Sequence, residues 1–423
     1  MRLDAFETRE SEVRSYCRTW PTVFERAEGS VLYAEDGTEY LDFFAGAGAL
    51  NYGHNPPELI EPLVAYLQDH GVLHGLDMYT PAKRRFLEAF TERVLEPRGM
   101  DYRLMFPGPT GTNAVEAALK LARKVTGRQH VLSFTNAFHG MTLGSLSVTG
   151  NSMKRRGAGL PLTNSSKIPY DDYFEGATED FLWLERVLQD SGSGVDRPAA
   201  IIVETVQGEG GLNAARPEWL RALADLCHAH DILLIVDDVQ AGCGRTGSFF
   251  SFEDAGIVPD IVCLSKSISG SGLPMALTLM RPELDVWDPG EHNGTFRGNN
   301  PAFVTATAAL ERFWADDVFV KEVRERAETL RAGLQRIADS YEGAAVRGRG
   351  LLTGVVFPRS ETAGEIAAES FQRGLLVETS GPESEVVKTM PALTIEPNHL
   401  ARGIDILTEA AAAVHARAGE GSA

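Results

Sequence analysis

The sequence predicts an α/β fold with a mostly parallel sheet. Up to about residue 300, short apolar runs alternate with helical patterns, which is typical of strand–helix–strand units. The runs are continuous rather than interrupted by polar residues, as expected for strands that helices cover on both faces. Beyond that point, long helical patterns dominate. We therefore expect a large domain over 51–300 and a smaller α+β domain formed by 1–50 and 301–423.

The individual elements follow from local patterns. Near the amino terminus, strands at Val31–Tyr33 and Tyr40–Phe44 flank a turn at Asp36-Gly37. The apolar runs that predict the large sheet are Val131–Phe134, Ala200–Val203, Ile232–Val236 and Ile261–Leu264. The later elements are helices at Pro217–His228 and Ala302–Ala338 (broken near Asp316-Asp317), a strand at Leu351–Val356 and a helix at His399–Arg417.

The composition narrows the classes of function. The chain has 423 residues and a net charge of −19, which argues against a nucleic-acid partner, because such a partner requires a basic surface. The segment Met1–Glu7 carries charges where a signal peptide would be apolar, and no apolar run reaches the roughly 20 residues that span a membrane. The scattered cysteines favour free thiols over a metal site or disulfides. We expect a cytoplasmic enzyme of small molecules, with no metal.

Two polar side chains follow two of the predicted strands. Asp237 comes directly after Ile232–Val236, and Lys266 follows Ile261–Leu264 after one serine. Parallel strands bring their carboxyl ends to one edge of the sheet, where ligands of such folds bind. There the lysine can hold an aldehyde cofactor as an imine, and the aspartate can keep a pyridine nitrogen protonated. Either residue alone is more often solvated, but the pair points to pyridoxal phosphate chemistry, with Gln240 able to donate to the ring's phenolic oxygen.

A glycine turn at Gly108–Gly111 opens an amphipathic helix. The backbone N–H groups of Gly111 and Thr112, the Thr112 hydroxyl and the helix dipole would form a phosphate cradle. The alternative is an ordinary capped helix, with Thr110 or Thr112 as the cap.

A second glycine motif suggests another class of enzyme. Gly242–Gly247 matches the G-x-G-x-x-G pattern of dinucleotide-binding proteins after a strand. Such a site needs a helix next, whereas Ser248–Phe252 is rich in aromatic residues, and we find no convincing acidic residue for a ribose contact. We predict a structural turn, and a nicotinamide-dependent oxidoreductase remains a remote alternative. A non-catalytic module of a regulator is disfavoured because no DNA-binding segment is evident.

The ordered set of motifs resembles the class III (omega) aminotransferases, a branch of the fold-type I pyridoxal phosphate enzymes. The resemblance extends over nearly the whole chain and implies a seven-stranded sheet and a homodimer, in which dimers could pair into tetramers. The segments that carry it are Tyr40–Phe43, Gly53–Pro56, Thr110–Ala114, Phe138–Gly140, Glu204–Gly211, Asp237–Gly247 and Gly294–Phe296.

The resemblance implies a role for each matching residue. Lys266 would form the imine and move the proton, Asp237 would hold the pyridinium, and Phe138 would stack on the ring. Glu209 matches an acid that in some relatives pairs with a carboxylate-binding arginine. The other residues expected at the cofactor are Gly111, Thr112, His139, Glu204, Gln240 and, from the neighbouring subunit, Thr295.

The chain departs from the family pattern where substrates bind. Lys388 replaces the carboxylate-binding arginine, and Met141 stands where ornithine and 4-aminobutyrate enzymes have arginine. Lysine lacks the bidentate fork of arginine, so Arg297 is a further candidate cation. Tyr52 and Tyr16 are candidate substrate contacts, with packing as the equal alternative.

Within the family, the likeness is greatest to enzymes that form diaminobutyrate for ectoine synthesis. It implies amino transfer from L-glutamate to L-aspartate 4-semialdehyde, giving L-2,4-diaminobutyrate and 2-oxoglutarate. The supporting segments are Glu10–Arg18, Ala45–Asn55, His139–Thr142 and Gly290–Asn300. The alternatives are a diaminobutyrate enzyme of siderophore or diaminopropane synthesis, or an enzyme of ornithine or 4-aminobutyrate.

Overall fold

The structure, a computed structural model, describes residues 3–174 and 181–420 of the chain. Its strands are β1 (Phe24–Glu28), β2 (Val31–Ala34), β3 (Glu39–Asp42), β4 (Arg103–Met105), β5 (Val131–Phe134), β6 (Ser165–Ile168), β7 (Ala200–Val203), β8 (Val206–Gln207), β9 (Asn213–Ala214), β10 (Leu233–Asp237), β11 (Ile261–Leu264), β12 (Leu277–Met280), β13 (Ala345–Arg349), β14 (Leu352–Val356), β15 (Leu375–Leu376), β16 (Glu378–Ser380) and β17 (Val386–Thr389). Its α-helices are α1 (Asp4–Arg9), α2 (Tyr16–Thr19), α3 (Ala45–Gly48), α4 (Pro57–Gln68), α5 (Pro81–Phe90), α6 (Gly111–Thr126), α7 (Leu143–Val148), α8 (Ser152–Arg156), α9 (Leu182–Gln189), α10 (Pro217–Ala229), α11 (Asn300–Phe313), α12 (Val318–Asp339), α13 (Ser360–Gln372) and α14 (Pro397–Glu420).

The largest sheet has seven strands in the order β4-β12-β11-β10-β7-β5-β6. Its neighbouring strands are parallel except at β12, which runs antiparallel to both β11 and β4. The four strands predicted from apolar runs are all present, and every residue in them is buried. This confirms the prediction of an α/β fold with a mostly parallel sheet, since helices cover strands that are apolar on both faces.

Helix α6 packs directly against this sheet. Its predicted apolar face is confirmed, because Ala114, Ala118 and Leu121 are buried in a cluster with strand residues. The helix begins at the Thr110 cap, whose side chain accepts from the Asn113 N–H. The small alanines let the helix lie close to the strands and so fix where its amino terminus points.

The two ends of the chain meet in a smaller sheet. Strand β15 pairs parallel to β3, so a carboxyl-terminal segment joins the strands β1, β2 and β3. The predicted break in the long helix is confirmed: α11 ends at Phe313 and α12 begins at Val318, whose N–H donates to the Asp316 carboxylate at 2.9 Å. The division into domains at residues 50 and 300 stays a prediction.

The structure also bears on the cysteines and on membrane-spanning helices. The four cysteines are free thiols, as the sequence predicts. In the described ranges, none of the helices combines the length and the apolar character that a bilayer crossing requires.

Candidate active site

A cavity of about 280 Å³ lies at the edge of the large sheet where β10 and β11 end. Strand ends and the first turn of α6 form its walls, so residues far apart in sequence meet there. Apart from Thr295, all the residues predicted to contact the cofactor line it: Gly111, Thr112, Phe138, His139, Glu204, Asp237, Gln240 and Lys266. Their individual roles stay predictions.

Lys266 reaches the cavity from a strained backbone. Its φ angle is +51°, in the left-handed region that residues other than glycine rarely adopt. The Ser265 hydroxyl donates to Met275 O at 2.8 Å, and the Ser267 hydroxyl donates to Gly48 O at 2.7 Å, so both flanking residues are anchored. Burial lowers the pKa of the Lys266 amine to about 8. More of this amine is therefore uncharged, and nucleophilic, than in a solvent-exposed lysine.

The Asp237 carboxylate is held by two hydrogen bonds. Its Oδ2 atom lies 2.7 Å from Nδ1 of His139, and its Oδ1 atom accepts from the Val239 N–H at 3.2 Å. His139 is fixed in turn, because its backbone N–H donates to the Thr149 hydroxyl at 3.0 Å. This buried carboxylate lines the cavity and can stabilise a cationic ring nitrogen there.

A second buried acid, Glu204, lies beside this carboxylate. Its Oε2 atom accepts from the Phe138 N–H at 2.9 Å. Burial, together with the negative charge of Asp237, raises the pKa of Glu204 and favours its neutral form. Glu204 can therefore position Phe138 without adding a full second negative charge next to Asp237.

The amino terminus of α6 faces the same cavity through Gly111 and Thr112. The first N–H groups of a helix have no partner within it and are available to an anion. The Thr112 hydroxyl lies 2.7 Å from that of Thr142 and 2.5 Å from that of Ser145. A Cβ atom at Gly140 would come within 2.5 Å of the Thr112 hydroxyl, so only glycine permits this approach. The residues suit a phosphate group.

Beside the cavity, three ionisable side chains form what we term the charge cluster: Lys388, Glu209 and Glu378. The Lys388 Nζ atom lies 2.9 Å from Glu209 Oε1, 2.9 Å from Glu378 Oε1 and 3.3 Å from Gln240 Oε1. The two carboxylates raise the pKa of Lys388 despite its complete burial, so it keeps its charge. In return, Lys388 lowers the pKa of Glu209 to about 2, whereas burial raises the pKa of Glu378 and Lys388 opposes that shift.

Two residues border the charge cluster. The Lys154 Nζ atom is 3.9 Å from Glu209 Oε2 and 4.2 Å from the centre of the Phe138 ring. The Tyr16 hydroxyl donates to Glu378 Oε2 at 3.4 Å. Within the cluster itself, Glu209 is the member that lines the cavity.

Three predicted residues lie away from this cavity. Tyr52 is buried, and its hydroxyl accepts from the Trp314 indole N–H at 2.8 Å. Arg297 donates to His292 O at 3.2 Å and so closes its own loop. The structure thus favours packing for Tyr52 and loop closure for Arg297 over substrate contact. Thr295 lies in the same loop, and its contact with a neighbouring subunit's cofactor stays a prediction.

The second glycine motif, Gly242–Gly247, forms consecutive turns, and the next helical segment is a single 3-10 turn at Glu253–Ala255 rather than an α-helix. Arg245 at its centre is fully buried. Its guanidinium donates to Asn51 Oδ1 at 2.6 Å and to Leu351 O at 3.2 Å, which ties the turn to two distant segments. The predicted structural turn is confirmed.

Sequence reasoning missed Glu378 and Lys154. Glu378 lies opposite Lys388 in the antiparallel pair β16–β17, so a cross-strand ion pair could have been suggested from the strand pattern. Lys154 gives no comparable signal, because only the folded chain brings α8 next to Glu209.

Comparison with known proteins agrees with this geometry. The family model described as "Aminotransferase class-III" matches residues 14–411. Proteins named diaminobutyrate–2-oxoglutarate transaminase are similar along their length: the one from Streptomyces coelicolor is 64% identical over 96% of this chain and 97% of its own. The one from Virgibacillus pantothenticus is 60% identical over 96% of this chain and 98% of its own.

Solved structures with the same fold include two aminotransferases. The ornithine aminotransferase from Toxoplasma gondii ME49 has a TM-score of 0.83 and 26% identity, covering 97% of this chain and 94% of its own. The N-acetylornithine aminotransferase from Stenotrophomonas maltophilia K279a has a TM-score of 0.74 and 28% identity, covering 95% and 99%.

Proposed function

Because the chain belongs to the class III aminotransferases, we propose that it transfers the amino group of L-glutamate to L-aspartate 4-semialdehyde. The products are L-2,4-diaminobutyrate and 2-oxoglutarate. One observation carries this choice of substrates: several relatives at 56–64% identity over 96% of the chain are named diaminobutyrate–2-oxoglutarate transaminase.

Aminotransferases of this family use pyridoxal 5′-phosphate, and the residues of the cavity suit that group. In our proposal Gly111 and Thr112 hold the phosphate, because unpaired helix N–H groups bind anions. Asp237 pairs with the ring nitrogen, and the Gln240 side chain donates a hydrogen bond to the phenolic oxygen. The support comes from a helix terminus, a buried carboxylate and a buried amine meeting in one cavity.

When bound, the cofactor supplies an aldehyde that takes up amino groups and a ring that withdraws electrons. Lys266 would move the proton from the substrate carbon that bears the amino group to the cofactor in the first half-reaction, and would move a proton in the reverse direction in the second. Asp237 keeps the ring nitrogen protonated, and His139 orients that carboxylate through the 2.7 Å hydrogen bond. Phe138, which lines the cavity, would pack on the ring.

The reaction consists of two half-reactions in one site. Glutamate gives up its α-amino group and leaves as 2-oxoglutarate, after which the semialdehyde receives the group at its terminal carbon. The residues near the reacting carbon must therefore accept a dicarboxylate and then a compound with an α-ammonium group. Glu209, which lines the cavity, is proposed to lie nearest to these alternating charges, with Lys388 directly behind it.

We further propose a cytoplasmic homodimer. Exposed apolar side chains support a contact with a second copy, because an apolar patch of this kind is unfavourable in water. Phe296 is 68% exposed, lies next to His74 with ring centres 5.4 Å apart, and follows Thr295. The other exposed apolar side chains in the neighbouring segment are Val72, Leu73, Leu76, Met78 and Tyr79.

The substrate proposal is tested with ¹⁵N-labelled L-glutamate. Purified protein with pyridoxal phosphate should place the label in the terminal amino group of diaminobutyrate when L-aspartate 4-semialdehyde is the acceptor, as seen by mass spectrometry. The aldehydes that correspond to ornithine and 4-aminobutyrate are the comparison acceptors. If either comparison aldehyde were labelled faster than L-aspartate 4-semialdehyde, the proposed product would be ornithine or 4-aminobutyrate instead of diaminobutyrate.

The ectoine setting is tested separately in cells. A strain without this gene should grow poorly at high salt, and added diaminobutyrate should restore growth. Growth that ectoine itself does not restore would contradict the ectoine setting, whereas restoration by ectoine but not by diaminobutyrate would place the enzyme at a later step than the one proposed.

A further inference from the structure

The charge cluster holds more negative charge than its lysine neutralises. Two carboxylates each lie 2.9 Å from the Lys388 Nζ atom, and the Lys388 side chain is 0% exposed. With both acids ionised, the three groups carry one unit of net negative charge, and two of them, Lys388 and Glu378, are buried. Two other cations act on Glu209: Lys154, at 3.9 Å, is partly exposed and screened by solvent, and Lys266 lines the same cavity. Uncompensated buried charge is unfavourable unless a cation approaches.

The same geometry prevents Lys388 from acting as a free receptor for carboxylates. A substrate carboxylate could reach Lys388 only if one acid moved away. Glu378 is buried and lies opposite Lys388 in the β16–β17 pair, so the strands fix it in place. Glu209, in contrast, lines the cavity, and its side chain is 27% exposed. The charge that the cluster presents to a substrate is therefore the carboxylate of Glu209.

We propose that Glu378 neutralises Lys388 from outside the cavity and so leaves the Glu209 carboxylate to bind the α-ammonium group of diaminobutyrate. With one acid only, the lysine would bind Glu209 fully, and the pair would have no net charge. The second acid shares the lysine and gives the pair an excess of negative charge. Glu378 is thus a positioning residue that selects a diamino acid. This inference rests on the proposed function.

The test compares two amino donors that differ in a single group. L-2,4-diaminobutyrate and 4-aminobutyrate share the terminal amine, the chain length and the carboxylate, and only the first has an α-ammonium group. The measured quantity is the ratio of their kcat/KM values in the donor half-reaction, followed by the loss of the bound cofactor's visible absorbance. We expect Glu378→Gln to lower this ratio roughly 10- to 100-fold, as for a lost hydrogen bond between charged groups. The 4-aminobutyrate and glutamate half-reactions should change by less than about threefold.

Two further variants make the result specific to this arrangement. The matched control is Glu383→Gln, which removes the same charge from an exposed residue near Glu378 and should leave the ratio unchanged. The double variant Glu378→Gln with Lys388→Gln removes the ion pair as a unit. Because Glu209 then has no buried lysine to neutralise it, the ratio should return to within about threefold of wild type. A purely structural role of Glu378 predicts no such recovery.

The outcomes separate the two proposals. Wild-type protein that does not react with diaminobutyrate overturns the proposed function. Wild-type protein that reacts with it, together with an unchanged ratio in Glu378→Gln, overturns the inference alone. A ratio that stays low in the double variant, or falls equally in the Glu383 control, also overturns it. If Glu378→Gln fails to fold, Glu378→Asp replaces it: the shorter side chain loses the 2.9 Å contact with Lys388, so the ratio should fall in the same direction, and an unchanged ratio overturns the inference.

Discussion

The cofactor cavity and the charge cluster are neighbours, yet they are built differently. Asp237, Lys266 and Gly111 lie at strand ends and at a helix start, where regular α/β topology places them. The cluster instead joins Glu209, from the segment after β8, with Glu378 and Lys388 from a hairpin late in the chain. In our proposal, the type of reaction depends on the common architecture, and the choice of substrate depends on the long-range contacts of the charge cluster.

The largest difference between the cavity and the charge cluster should come from Lys266→Ala. Loss of the amine removes both cofactor attachment and proton transfer, so turnover should fall by at least about 10³-fold with every substrate. Cluster variants, in contrast, should change the ratio between substrates. Steady-state assays with three amino donors measure this, and exposed Lys321→Ala is the control. Multiple turnovers at a wild-type rate in Lys266→Ala would remove the residue from our mechanism.

A change in the cluster should affect stability more than one on the surface. Lys388→Gln leaves Glu209 and Glu378 without their shared partner, and we expect the free energy of unfolding to fall by about 3–5 kcal/mol. Urea unfolding at pH 8 measures it, with Lys321→Gln as the control. Burial raises the folded-state pKa of Glu378 above its unfolded-state pKa. The free energy of unfolding therefore falls as the pH rises from the unfolded-state pKa to the folded-state pKa. The deficit should therefore be smaller at pH 5, and an equal deficit at both pH values would contradict this account.

The cavity should show its own pH dependence. Because the pKa of Lys266 is lowered to about 8, the apoprotein should capture pyridoxal phosphate about tenfold more slowly for each pH unit below 8, and at a constant rate above it. Stopped-flow absorbance gives the rates. A rate that still rises between pH 9 and pH 10 would indicate an ordinary, solvated lysine.

The smallest effect is expected at the border of the cluster. Tyr16→Phe removes a long 3.4 Å hydrogen bond from an exposed side chain to Glu378. We expect kcat/KM for diaminobutyrate to change by no more than about threefold. A loss above tenfold would show that Tyr16 belongs to the cluster.

The sequence predicted the cavity better than the cluster for a physical reason. Apolar runs and a glycine turn are local signals, and they located the strands that bring Asp237 and Lys266 to one edge of the sheet. The antiparallel strand β12, by contrast, has no pattern that separates it from a parallel one. Lys388 was recognised as unusual, but its second acid was not, because pairing with Glu378 depends on strand register. For Tyr52 the sequence left substrate contact and packing as equal alternatives, because only the fold brings Trp314 to its hydroxyl.

The left-handed backbone at Lys266 lowers the stability of the protein at a residue that the proposed reaction requires. Glycine or asparagine would adopt this conformation more easily, and neither would leave a desolvated amine at this position. A selection for heat resistance alone would therefore discard the lysine, and the inactive survivors should melt later than the cofactor-free parent.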